Sequence, residues 1–202
     1  RARTAGREDR AMPVFVDYSN SNPNGPTPGA KLGTASIGGA GAVEVHFRIT
    51  AAQNVGGEQA ILTILDQPDG VGDMGELFLF VNGPAVGVSF SNVAASLKPQ
   101  VATWTPPFAI DDGAWHQLAV YMINGLVYIW VDGQTQTGSD GQPEGFAFAI
   151  GSAVNSGALL LGTSSSFKAS GFRGGVTEVR GWNNTYDFVP CPNYPEIGRA
   201  HV

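Results

Sequence analysis

The 202-residue chain holds 28 glycines and 13 prolines, about a fifth of its length, against roughly 12% in an average protein. That density of breakers excludes a long helix, a coiled coil or a transmembrane span, while 43% hydrophobic residues are enough for a core and exclude wholesale disorder. A formal charge of −6 with only 11 Lys plus Arg argues against nucleic-acid binding, and the single cysteine, Cys191, excludes an internal disulfide framework or a multi-cysteine zinc site.

Residues 1–12 read as a basic linker or the remnant of a leader. Arg1, Arg3, Arg7 and Arg10 stand against Glu8 and Asp9, which leaves +2 locally and −8 for the rest of the chain. The segment has no apolar run, so it is not a signal peptide as it stands. A chain that starts without Met is taken as a piece of something longer.

The domain is expected over 13–188. Val14–Tyr18 is a short β-rich run that ends in the turn cluster Ser19–Pro26. Ala42 to Thr50 alternates, with Val43, Val45, Phe47 and Ile49 on one face and Glu44, His46 and Arg48 on the other. Ile61–Leu65 has the composition of a buried strand, followed by an acidic loop from Asp66 to Gly75. Glu76–Asn82 and Ala85–Phe90 pair around Asn82-Gly83-Pro84. Ser91–Lys98 is expected to form a single helical turn.

The best-defined element is a hairpin from His116 to Asp132. Asn124-Gly125 is the preferred pair for a type I′ turn, in which both central residues need positive φ. That turn sets Ile123 against Leu126, Tyr121 against Tyr128 and Ala119 against Trp130 on one face. Leu118, Val120, Met122, Val127, Ile129 and Val131 form an aliphatic opposite face, expected to be the core. Short strands, frequent turns and two-sided hydrophobicity predict an all-β fold, a two-sheet antiparallel β-sandwich with little or no helix.

Asp111-Asp112-Gly113-Ala114-Trp115-His116-Gln117-Leu118-Ala119-Val120 resembles a "DGxWHxVAV" signature of laminin-G-like jelly rolls in the concanavalin-like superfamily. The resemblance continues through Leu126–Gly133 and closes with Leu159–Gly162 and Phe172–Asn183, with Gly181 in place of the usual apolar residue before Trp182. It implies a jelly roll of about a dozen strands whose members bind glycans, proteins or calcium at the rim, with glycan-cleaving enzymes as a minority. Fold alone does not choose among these.

Trp115 and His116 look like framework in such domains, with Trp115 sealing one end of the sandwich. Asp132-Gly133 reads as a turn in which Asp132 bonds its own backbone, and Glu178 with Arg180 as a local ion pair. Calcium needs six to eight oxygens from several loops. The candidate ligands are Asp69, Asp73, Asp111 and Asp112, with Asp17, Asp66 and Asp140 as further loop acids. Glycan binding needs exposed aromatic planes. Trp104 and Phe108 supply them in the stiff loop Trp104-Thr105-Pro106-Pro107-Phe108, and Tyr121, Tyr128 and Trp130 form a second platform if their sheet face is open. For each of these residues the alternative is burial under a neighbouring loop, or solvation in the case of the acids.

No Glu-x-Asp-x-x-Glu spacing of this superfamily's glycosidases is present. Glu44, His46 and Arg48 share a strand face but do not match the order of its lyases, so no catalytic residues are assigned. Asn183-Asn184-Thr185 is a glycosylation sequon in a secreted eukaryotic chain, which makes Asn183 a candidate site. Residues 189–195 are a Pro-rich tail, and Glu196–Val202 reads as the translation of a sequencing adapter.

The sequence therefore points to a non-catalytic recognition module of a longer extracellular or secreted protein, with a lumenal home equally compatible. Carbohydrate is the first expectation for its ligand, with calcium as an expected cofactor. The alternative is a structural or protein-interaction subunit, and a polysaccharide lyase or hydrolase is a remote third.

Overall fold

The computed structural model describes residues 16–17, 30–37, 41–66, 75–92, 97–123, 125–148, 154–162 and 170–182. Fourteen strands occur among them: β1 (Val16–Asp17), β2 (Ala30–Ile37), β3 (Gly41–Arg48), β4 (Gln59–Asp66), β5 (Gly75–Asn82), β6 (Ala85–Asn92), β7 (Leu97–Trp104), β8 (His116–Ile123), β9 (Leu126–Val131), β10 (Gln134–Thr135), β11 (Phe146–Ala147), β12 (Val154–Leu161), β13 (Ser170–Gly171) and β14 (Gly175–Trp182). The described residues contain no helix.

The strands form two seven-stranded sheets. One runs β1-β14-β3-β8-β9-β10, with β11 also on β9; the other runs β2-β12-β4-β5-β6-β7, with β13 on β4. All pairings are antiparallel except β13 with β4. The chain passes between sheets repeatedly, so neighbours in space are often distant in sequence: β3 lies between β14 and β8.

Alternation along the strands builds the core. In β8 and β9 every second residue is buried, and Leu118, Val120, Met122, Val127, Ile129 and Val131 all join one apolar cluster. Ile61, Ile64, Leu77, Leu79, Val86, Val88 and Phe90 meet them from the other sheet. Each such side chain, fully buried, contributes about 1.5–3 kcal/mol of transfer free energy. The hairpin register is Ile123 on Leu126, Tyr121 on Tyr128 and Ala119 on Trp130, as the Asn-Gly turn predicts, and Gly125 takes a φ of 75°.

The helical turn expected over Ser91–Lys98 is not formed at either end. Ser91 and Asn92 complete β6, and Leu97 and Lys98 open β7, with Asn92 paired to Leu97. The Ser/Ala-rich composition of this stretch signals helix locally, but the ladder with β6 supplies its flanks with strand partners. Pro99 within β7 fits the outer position of that strand, since proline lacks a ladder donor. β2, β7, β10, β11 and β13 were not anticipated, being short, rich in small residues or, in β7, interrupted by Pro99.

Candidate functional site

β7 ends one sheet and β10 ends the other, and between these two edges lies an open groove of about 750 Å³. Trp104, Thr105 and Pro107 line it from the β7 side. Trp130, Gly133, Gln134, Thr135, Gln136 and Thr137 line it from β9 and β10, and Gly141 and Pro143 close the rim. Drug-sized ligand sites occupy roughly 300–1,000 Å³, so the volume suits a small ligand or a short oligomer.

Each wall has a local cause. Trp104, the last residue of β7, is half-buried against the core, and the prolines behind it prevent the strand from continuing. Trp130 alternates with Ile129 and Val131, so it points away from the core and packs beside Ala42 and Ala119. Its Nε1 is buried without a hydrogen-bond partner among the described residues. Asp132 and Gly133 take φ values of 50° and 73° and turn β9 into β10, which carries Gln134 and Thr135. Thr135 Oγ1 donates to Ile129 O at 2.7 Å, and Gln136 Nε2 donates to Glu144 Oε2 at 2.7 Å.

The other expected aromatics go elsewhere. Phe108 turns back onto the core and stacks on His116, with centroids 6.3 Å apart and planes at 22°. Tyr121 and Tyr128 stack on each other at 4.6 Å and 8°. A Cβ on Gly145 would fall 2.8 Å from the Tyr128 ring, so this backbone rests on the tyrosine as no other residue could. Burial, with the neighbouring Tyr128 second, raises the Tyr121 phenol above its usual range. The two tyrosines form a half-buried stack beside the groove.

His116 sits at one end of the sandwich, with its ring 7% exposed. Nδ1 is 2.7 Å from Asp132 Oδ2 and Nε2 is 3.1 Å from Asp112 Oδ1. Both nitrogens face carboxylate oxygens, and an imidazole donates from both only when protonated. Burial alone would lower the His116 pKa, but the bonds to Asp132 and Asp112 and their charges raise it above the ordinary 6.5. Asp132 Oδ1 also accepts from Gln117 N at 2.8 Å. Asp132 thus reaches across to β8 instead of bonding its own backbone, because positive φ aims its side chain over the neighbouring strand. Trp115 is half-buried, with the Arg48 guanidinium 5.1 Å over its ring.

Of the acids expected as calcium ligands, Asp111, Asp112 and Asp140 accept local hydrogen bonds. Asp112 Oδ1 accepts from Ala114 N at 2.7 Å as well as facing His116. The backbone bond is the chief reason its pKa falls below the ordinary 3.8. Asp111 Oδ2 accepts from Asn54 Nδ2 at 3.2 Å, and Asp140 Oδ1 accepts from Gln142 N at 3.0 Å. Among the described residues no three His, Cys, Asp or Glu side chains converge as a metal-ligand set. Asp69 and Asp73 lie outside the described residues, as do Asn183 and Cys191.

Glu44, His46 and Arg48 share the face opposite Val43, Val45 and Phe47, and none of them lines the β7–β10 groove. Glu44 is 4% exposed and His46 2%. His46 Nε2 lies 3.3 Å from Glu44 Oε1 and Nδ1 lies 3.2 Å from Glu178 Oε2, and neither nitrogen makes a well-directed hydrogen bond. Burial would raise the Glu44 pKa, but contacts with His46 and Gln117 and the nearby Arg180 bring it below the ordinary 4.5. Glu178 occupies a bulge between Thr177 and Val179, with φ at 50°, and pairs with Arg180.

No family model matches the sequence, and no curated protein matches it. Solved structures do match in three dimensions. Domains LG4-5 of the mouse laminin alpha1 chain align over 85% of this chain and 41% of theirs, with a TM-score of 0.54 and 16% identity. A leech intramolecular trans-sialidase, complexed with 2,7-anhydro-Neu5Ac, aligns over 86% of this chain and 26% of its own (TM-score 0.57, 13% identity). The CBM40 of a Ruminococcus gnavus IT-sialidase, bound to alpha2,3 sialyllactose, aligns over 85% and 92% (TM-score 0.50, 11% identity).

The fold is the concanavalin-like, laminin-G-like jelly roll. At these identities the likeness is one of fold, and the chain spans less than half of the laminin and leech chains it matches. Within this jelly roll the structure brings Trp104 and Trp130 into one groove, which the sequence had assigned to two separate platforms. Gln134, Thr135, Gln136 and Pro143 were not anticipated. The polar run Gln134-Thr135-Gln136-Thr137 directly after the Asp132-Gly133 turn was the available signal.

Proposed function

We propose that this domain is a non-catalytic recognition module that binds carbohydrate in the β7–β10 groove, as part of a longer extracellular protein. The observation that carries the reading is the meeting of Trp104 and Trp130 in one open groove with hydroxyl and amide side chains between them. A pyranose presents apolar C–H faces and a rim of hydroxyls. Indole planes match the faces, and Thr and Gln match the hydroxyls with both donors and acceptors. The fold's resemblance to a module bound to sialyllactose supports the class of ligand.

The test is a glycan array probed with the labelled full chain, once with calcium and once with chelator. Selective binding is expected, with Trp104→Ala weakening the hit about tenfold, the loss of one aromatic stacking contact. Loss on chelation would assign a calcium role to the Asp69 and Asp73 loop, and indifference to chelator would remove calcium from the proposal. A silent array from protein that still melts cooperatively would overturn the reading in favour of a protein-interaction subunit.

A further inference from the structure

The sugar's charge is a separate question from whether a sugar binds, and the groove bears on it directly. Among the described residues, none that lines the groove carries a formal charge. The ionisable residues next to the lining in sequence are acidic: Asp132 precedes Gly133, Asp140 precedes Gly141, and Glu144 follows Pro143 and holds the Gln136 amide. The described arginines are committed to other parts of the molecule. Arg48 lies over Trp115, Arg180 pairs with Glu178 and Glu44, and Arg173 is not among the residues that line the groove. The chain as a whole carries −6.

A carboxylated or sulfated sugar entering this groove would lose hydration around its charge and meet no cation among the described lining residues in return. Such desolvation is costly unless the charge is paired, and recognition of carboxylates characteristically uses arginine. A neutral sugar loses only hydroxyl hydration, which Thr105, Gln134 and Thr137 at the exposed wall can replace. The groove is also open rather than enclosed, so an oligosaccharide can lie along it without its chain end being captured.

Resting on the carbohydrate reading above, we infer that the β7–β10 groove selects uncharged oligosaccharides, an internal stretch of neutral glycan, and rejects sialylated, uronate and sulfated ones. This sets it apart in ligand chemistry from the sialyllactose-bound module that shares its fold.

The experiment is calorimetric titration of the full chain with neutral gluco-, xylo- and galacto-oligosaccharides, and with 3′-sialyllactose and oligogalacturonate as anionic probes. The expected result is binding to at least one neutral series, with affinities for the anionic probes at least about tenfold weaker. Binding to the anionic probes alone would overturn the inference and leave the carbohydrate reading standing. Binding to none would remove both. Because Trp104 also packs on the core, a second variant guards against misfolding: exposed Gln134→Lys is expected to raise affinity for 3′-sialyllactose relative to the neutral series. An unchanged ratio would mean that sugars do not use this groove.

Discussion

Two histidines in this molecule lie between pairs of carboxylates, and they are held in opposite ways. His116 has both ring nitrogens within 2.7 and 3.1 Å of Asp132 and Asp112 in hydrogen-bonding contact, at a sandwich end where the two acids remain 37% and 48% exposed. His46 has Glu44 and Glu178 at 3.3 and 3.2 Å but no well-directed hydrogen bond to either, in a site where Glu44 is almost fully buried. The first arrangement is fastened to backbone through Gln117 and Ala114. The second depends on side chains meeting across a bulge. One histidine between two carboxylates forms a framework joint in one place and a sealed, imperfectly satisfied cluster in the other.

The comparison breaks most sharply at Asp132. Asp132→Ala removes the acceptor for Gln117 N and for His116 Nδ1 together, and at about 1.5–3 kcal/mol per charge-assisted hydrogen bond it is expected to cost about 3 kcal/mol in denaturant unfolding. A loss below about 1 kcal/mol would mean the joint is not fastened as described. His116→Leu keeps the volume but leaves two acids facing an apolar group, and is expected to cost about 2 kcal/mol.

The pH dependence of melting comes next in size. The His116 pKa is raised in the folded state, so its stabilising contribution is complete below the ordinary 6.5 and lost as pH rises through the higher folded value. Asp112 and Glu44 have lowered pKa values, so their contributions hold above 3.8 and 4.5 and are lost as pH falls through the folded values. The melting temperature is expected to peak between these flanks, near mildly acidic pH. His116→Leu should flatten the alkaline flank specifically, and a slope that survives that substitution would place the titrating group elsewhere.

The smallest effect is expected at the sealed cluster. Replacing Glu44 and His46 together by leucine should leave stability within about 1 kcal/mol of the parent or raise it, because poorly satisfied buried ion pairs often yield nothing over apolar packing. A large loss would show that the cluster holds the sheet as firmly as the His116 joint does.

What could be read from the sequence was what depends on neighbours along the chain. The β8–β9 register follows from one Asn-Gly pair, and the core face follows from alternation. The Glu44/His46/Arg48 side was recognised as one face for the same reason. What could not be read depends on which strands end the sheets. Trp104 and Trp130 meet only because β7 and β10 are both terminal, a property of the whole strand order. Phe108 was placed with Trp104 from its position in a proline-rich loop, whereas the loop turns it inward onto His116. The span of Asp132 across to β8 required the positive φ at a residue that is not glycine. The Glu178 bulge did leave a mark in the hydrophobic pattern, since Val176 and Val179 stand three apart and both fall on the core side, which strict alternation forbids.

The Asp132-Gly133 turn has one more consequence. Asp132 looks back into the frame, while Gly133 and the residues after it form the wall of the groove. Anchor and contact surface are thus adjacent in sequence yet mechanically separate. Variation at Thr105, Gln134, Gln136 and Thr137 leaves every core strand position untouched, so such positions can diversify under selection while the sandwich stays constant. The domain has the layout of a scaffold whose specificity can be rewritten from one edge, by natural drift or by a library confined to those four codons.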